Sequence, residues 1–300
     1  MKILVTGGRG QLAKAIEKVA SALGIDCVAL SKNTLDVCEP KEVIEALTHH
    51  SPDLVIQSAA YTQVDQSETE AGLAYQVNAL GARHVAEACQ LVGAKLLHIS
   101  TDYVFGASEW PRAWREDDPP APLNTYGWSK RLGEIYVQES SASSCVVRVA
   151  GLFSHRQESF VGKILSRIAA QAPLIVVKDQ ITTPTNCEQL ALSLLQIGEY
   201  WCQGNSIPVL LHIAGGPPVS WFEFARHIVT NHPEPALRTW PIRPVSSSEM
   251  ALVASRPSYS VLDDTLARSV CRVTLPDWRV GLSETVAAAW RTVYFDSPRQ

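Results

Sequence analysis

The sequence predicts an α/β fold: a doubly wound parallel sheet carrying a smaller α/β lobe. Three observations predict it. An apolar strand, Ile3-Leu4-Val5, runs into a glycine turn and then a helical pattern. Strand-then-helix units recur four times by residue 100 without a long unpatterned loop, which favours parallel strands joined by right-handed crossovers. Beyond residue 150 the alternation loosens, as a second lobe would. Three hundred residues at 46% hydrophobic and 19% charged content can bury a large core.

The first unit ends in Thr6-Gly7-Gly8-Arg9-Gly10-Gln11-Leu12-Ala13, with Ile16, Val19, Ala20 and Leu23 following at helical spacing. Gly7 allows the sharp turn, Gly10 lets backbone approach a pyrophosphate, and small Ala13 lets the helix pack on the strand. Phosphates would face the free N–H groups of Gln11 and Leu12 at the helix start. Gly-x-x-Gly-x-x-Ala in this setting reads as a Rossmann-type dinucleotide site. At the end of the second strand, Cys27-Val28-Ala29-Leu30, Ser31 and Lys32 stand where an NAD site tends to place a carboxylate. They favour NADPH, with NADH still possible, or else simply solvate a loop. Asp36 and Val37 are expected to border the adenine.

Pro52 to Ile56 forms the third strand, and Ser58-Ala59-Ala60-Tyr61 at its end leaves room for a cofactor or packs tightly. The next helix carries Val77, Leu80, Val85, Ala86 and Cys89 on an apolar stripe, with Asn78 inside it as a structural hydrogen-bonder. Leu96-Leu97-His98-Ile99 is the strand that delivers Thr101. Residues 115–124 are acidic and proline-rich and should border the mouth of a site. If residues 126–136 are helical, Tyr126 and Lys130 share one face. An ammonium beside a phenol lowers its pKa and suits it to proton exchange with a carbonyl or alcohol oxygen.

Cys145 to Val149 is another buried strand. A helix over 159–170 and a strand over 174–177 follow. Residues 1–150 are therefore expected to form the nucleotide domain, with 177–205 packing back on it. Residues 151–176 and 206–300 are expected to form the substrate lobe. Trp221, Phe222 and Phe224 read as core.

A net charge of -4 and a pI near 6.1 give no global reason to bind nucleic acid or an anionic membrane. No apolar run reaches the roughly 18 residues of a membrane span. The N-terminus lacks signal-peptide form. Seven scattered cysteines read as reduced thiols of a cytoplasmic protein, without a disulfide frame or a metal site.

Seven ordered blocks carry a resemblance. They are Thr6 to Ala13; Ala59-Ala60-Tyr61-Thr62 with Val64-Asp65; Ser100-Thr101-Asp102-Tyr103-Val104-Phe105; Asn124-Thr125-Tyr126-Gly127 with Lys130; Asp179-Gln180 with Pro184-Thr185; Ser220 to Ala225; and Arg256 to Asp263. The chain resembles the dTDP-4-dehydrorhamnose reductase family of extended short-chain dehydrogenase/reductases over nearly its whole length. The resemblance implies reduction of a nucleotide-activated 4-keto-6-deoxyhexose by NAD(P)H, in a monomer or homodimer. It implies Tyr126 as proton donor, Lys130 lowering its pKa and holding the nicotinamide ribose, and Thr101 hydrogen-bonding the sugar carbonyl. Asp102 and Tyr103 would border the sugar or serve the strand end. Arg256 would meet a substrate diphosphate or form a salt bridge.

Two departures bear on this. Gly151 stands where the family often has tryptophan, and Ala15 where magnesium-bridged members use glutamate, so no metal is expected. Two other readings share the fold. A dehydratase typically follows Thr-Asp with glutamate, where this chain has Tyr103. A non-catalytic subunit, like the regulatory one of methionine adenosyltransferase, would not require Thr101, Tyr126 and Lys130.

Overall fold

A computed structural model describes residues 1–106, 112–140 and 142–295. The first half alternates as expected: β1 (Lys2–Thr6), α1 (Gln11–Ala22), β2 (Asp26–Leu30), α2 (Pro40–His50) and β3 (Leu54–Gln57). Two short helices, α3 (Val64–Ser67) and α4 (Ala71–Tyr75), lead through a π-helical stretch, Gln76–Leu80, into α5 (Gly81–Val92). Then come β4 (Lys95–Thr101), a 3-10 turn at Asp102–Val104, α6 (Thr125–Glu139) and β5 (Ser144–Val149). The chain leaves through β6 (Leu152–Phe153), α7 (Phe160–Ala169), β7 (Leu174–Val177), β8 (Ile181–Thr182) and β9 (Thr185–Asn186). It comes back through α8 (Cys187–Cys202) and β10 (Leu210–Ile213).

The large sheet is six-stranded, in the order β2-β1-β3-β4-β5-β10, and every pairing is parallel. Alternation along the strands sorts its core into two layers. Ile3, Val5, Ile56, Leu97 and Val147 pack with Ile16 of α1 and Leu190 and Leu194 of α8. Leu4, Val55, Leu96 and Val146 pack with Val43 of α2, Val85 of α5 and Val137 of α6. Strand order reverses between β1 and β3, and a ligand crevice opens at the carboxyl ends of strands at such a reversal.

The smaller lobe adds β11 (Val219–Ser220), α9 (Trp221–Thr230), β12 (Ile242–Val245), α10 (Ser247–Met250) and α11 (Leu282–Phe295). Its core gathers Phe153, Leu165, Phe224, Trp278 and Val286, with Trp221 and Phe222 packed partly against it. The boundary expected at residue 206 needs correction. β10 pairs with β5 at the sheet edge, and Ala267, Cys271, Val273 and Leu275 join the core beneath α1 and α8. The tail crosses back because those apolar side chains complete a layer that the first 150 residues leave short. All seven cysteines are free thiols, and among the described residues no helix is long and apolar enough to cross a membrane.

Candidate active site

The glycine turn is built by close backbone approach. Gly7 has φ +73°, and a Cβ there would stand 2.8 Å from Ala59 Cα; one at Gly8 would stand 2.7 Å from the Ala29 carbonyl oxygen. Gly10 donates its N–H to the Gly7 carbonyl at 2.8 Å, and a Cβ on it would meet only that oxygen, at 3.2 Å. The outer side of the turn is therefore open. Gly10 caps α1 with no side-chain hydrogen bond, leaving the first amides of the helix without helical partners. A dinucleotide pyrophosphate fits this arrangement of open glycine and free N–H donors.

The expected coenzyme residues present different parts of themselves to it. Leu12 buries its side chain, so only its amide is on offer. The Gln11 side chain is turned to the second lobe, accepting from Ser154 Oγ at 3.0 Å and donating to the Leu152 carbonyl at 3.4 Å. The Ser31 carbonyl accepts from the Thr34 and Leu35 amides, while exposed Lys32 pairs with Asp36 at 3.4 Å. Asp36 Oδ1 also accepts the Cys38 N–H at 3.0 Å. Val37 is buried against Gly81. On the other side of the crevice Thr6 Oγ1 accepts the Ala59 N–H at 3.2 Å, and half-buried Ala60 follows. Tyr61 is held at both backbone groups by Asn78, 2.8 Å to its N–H and 3.0 Å to its carbonyl, and its hydroxyl donates to Glu70.

Three expected catalytic side chains meet at the carboxyl end of β4. Buried Thr101 accepts the Tyr103 N–H at 3.1 Å and donates its hydroxyl to Asp102 Oδ1 at 3.1 Å, with the Tyr126 phenol beside it. Tyr126 sits in the first turn of α6, which Asn124 caps by accepting the Gly127 N–H at 2.7 Å. Gly127 lies against the Tyr103 carbonyl and Gly133 against the Asn78 carbonyl so closely that neither has room for a Cβ. Ser129 bonds the Tyr126 carbonyl at 2.7 Å and accepts from Asn78 at 2.9 Å. Lys130, buried, donates to the Ile99 carbonyl at 2.7 Å.

The electrostatics correct one expectation. Burial pushes the Tyr126 phenol up to about 12, and the neighbouring Thr101 hydroxyl pulls it down. Burial lowers Lys130 to about 8 while the Glu134 carboxylate holds it up. Within the protein alone, then, desolvation outweighs the expected ammonium effect. The phenol is a firmly protonated acid, and the ammonium is turned to a backbone oxygen.

Asp102 is buried beside Thr101, whose hydroxyl donates to its Oδ1 at 3.1 Å, and burial raises its carboxyl to about 6. Tyr103 packs edge-on against Tyr126 at 5.8 Å and is raised further by burial. Arg256 takes the salt-bridge alternative. It grips Asp65 with two nitrogens at 2.8 and 3.1 Å, and also reaches Tyr103.

A buried ionic cluster beneath α6 was not anticipated. Glu134 accepts from Ser100 Oγ at 2.6 Å, from Arg148 Nε and Nη2 at 2.8 Å each, and from Arg131 at 3.0 Å. Arg148 also meets His212 Nε2 at 3.3 Å, and His212 Nδ1 lies 3.0 Å from the Trp114 carbonyl. The signal was present: Glu134 is four residues from Lys130, and Arg148 and His212 interrupt apolar strands.

The RmlD substrate binding domain model matches residues 1–290. A dTDP-4-dehydrorhamnose reductase of Streptomyces griseus is 35% identical over 95% of this chain and 93% of its own length. The chain belongs to the dTDP-4-dehydrorhamnose reductase family. Another relative, a probable dTDP-4,6-dihydroxy-2-methyloxan-3-one 4-ketoreductase of Streptomyces antibioticus, is 33% identical over 95% of this chain and 94% of its own length. Among solved structures, the dTDP-4-dehydrorhamnose reductase of Bacillus anthracis in complex with NADP superposes with a TM-score of 0.87 at 35% identity, covering 95% of this chain and 99% of that one. In this member of the reductase family, Gly151 has φ +53°, a conformation that a tryptophan would strain.

Proposed function

We propose that the protein reduces the 4-keto group of a dTDP-activated 4-keto-6-deoxyhexose, with NADPH as the preferred reductant, acting in the cytoplasm. What supports this reading is that Tyr126 lies beside Thr101 at the carboxyl end of β4, while Lys130, one turn along α6, bonds the Ile99 carbonyl of the same strand, at the sheet end that also carries the open glycine turn. Bound NADPH supplies the hydride. Gly10 and the free amides of Gln11 and Leu12 would hold its pyrophosphate, and Ser31 and Lys32 lie where its ribose phosphate is read.

Thr101 orients the carbonyl oxygen through its hydroxyl, and Tyr126, kept protonated by burial, gives that oxygen its proton as charge develops. Lys130, anchored on Ile99, then stabilises the phenolate left behind. Tyr103 stands where a dehydratase would need a carboxylate, which favours simple reduction. The two Streptomyces relatives are named for different 4-keto sugars, so the substrate is assigned as a class of sugar and not as one compound.

Incubation with NADPH and a panel of dTDP-4-keto sugars, with products read by NMR, tests the reading. Tyr126→Phe is expected to leave NADPH binding intact and to slow ketoreduction by about a hundredfold or more in stopped flow. Equal turnover of variant and parent would remove Tyr126 from its role.

A further inference from the structure

The sheet carries a polar row where an apolar one is normal. Ser100 of β4, Arg148 of β5 and His212 of β10 occupy one register across three parallel strands, and all three are buried. Their side chains share the face covered by α5 and α6, because alternate neighbours Leu96 and Val146 lie in that layer. Glu134 comes down onto this row from α6, one turn beyond Lys130, and its two carboxylate oxygens accept four hydrogen bonds. One donor, Ser100, is the residue before Thr101.

We infer that Glu134 is a positioning residue: clamped by Arg148 and Ser100, its carboxylate locks the strand end bearing Thr101 to the helix bearing Tyr126 and Lys130, and sets a negative charge one helical turn from Lys130. The inference rests on the ketoreductase reading for its meaning in turnover. A buried ion pair gives no reliable stability, since desolvating both charges offsets their attraction. Fixing a geometry is the better-supported use for one in this position.

Glu134 faces Lys130 from its own helix and His98 from β4. Asn78, from the π-helical stretch, is neutral. Glu134 itself faces Arg131 of α6 and Arg148 of β5, whose far side leads to His212. His98 is held neutral by burial and by Lys130 itself, so Glu134 is the anion that offsets the desolvation of the ammonium.

The test reads the lysine directly. Protein labelled with [ε-13C]lysine is titrated by NMR, with Lys130 assigned by its loss in Lys130→Arg. Glu134→Gln alone would strand the Arg148 charge, so the principal variant is the pair Glu134→Gln with Arg148→Met, which removes both charges of the clamp together. The Lys130 pKa is expected to fall by about one unit or more in this variant. Glu134→Asp, which keeps the charge but withdraws it by one methylene, is expected to show a smaller fall, and it carries the test if the paired variant does not fold. The same shift should move the pH limb of kcat, with NADPH Kd changed little. A Lys130 titration identical to the parent's in a folded variant would overturn the inference. Because the titration uses no substrate, that failure is distinct from failure of the ketoreductase reading, in which the unaltered protein would reduce no keto sugar at all.

Discussion

Arg256 shows how one side chain can serve packing or ligand, and how the alternatives separate. Its guanidinium is mostly buried, with Asp65 drawn below the ordinary carboxylate range chiefly by its hydrogen bond, and the Ala254 amide adds a further bond to Asp65 at 3.0 Å. A fastener between lobes predicts that Asp65→Asn and Arg256→Met lower the melting temperature by similar amounts. The double variant should lose little more, with a coupling of about 0.5–3 kcal/mol in a double-mutant cycle. A diphosphate ligand predicts something else: Arg256→Met would raise KM for the nucleotide sugar well beyond the effect of Asp65→Asn. Sequence left these alternatives open because a guanidinium matches carboxylate and phosphate equally well. Lys130 was legible from its spacing to Tyr126. Its bond to Ile99 was not, because a backbone carbonyl has no signature in a sequence.

Among the elements, α6 does most to place chemistry, and its start is fixed by Asn124. The Oδ1 atom caps the helix at Gly127, while Nδ2 donates to the Ser255 carbonyl of the second lobe at 2.7 Å. Asn124→Ala should therefore cost about 1 kcal/mol as a lost cap, with more from the orphaned Ser255 carbonyl. Asn124→Asp keeps the cap and loses only the donated bond, so thermal denaturation should rank it between parent and alanine variant. An aspartate variant no better than alanine would show that the bond to Ser255 dominates. The long elements were readable: the helix expected over 126–136 runs Thr125–Glu139, and the one expected over 159–170 runs Phe160–Ala169. The π-helical Gln76–Leu80 was not, because one extra residue per turn shifts the stripe and turns Leu80 outward while Asn78 goes inward. Two-residue strands such as β6, β8 and β9 are too short to show a period, and their pairing depends on distant partners.

At the scale of the whole molecule, the polar row gives the protein a dependence on acid that its net charge does not foretell. Burial holds His212 down at about 3 and His98 well below the usual histidine range, so both are neutral in the folded protein. Unfolded, each titrates near about 6.5. A histidine lowered on folding contributes stability that is fully present above the unfolded value and is lost as pH falls through the window down to the folded one. For His212 that window runs from about 6.5 to about 3. Other groups overlap it. His50, His227 and His232 are also lowered, whereas Asp102, raised to about 6, acts oppositely between about 4 and 6 because its folded form keeps a proton that the unfolded form releases. The total slope therefore mixes signs, and a difference between two proteins isolates the residue. The stability of the parent minus that of His212→Gln, from urea unfolding at a series of pH values, should be level above about pH 7 and shrink by about 1.4 kcal/mol per unit below about 6.5. A difference that stays level down to pH 4.5 would mean that His212 takes up its proton in the folded protein, and that the row beneath the catalytic helix is more open to water than its packing allows.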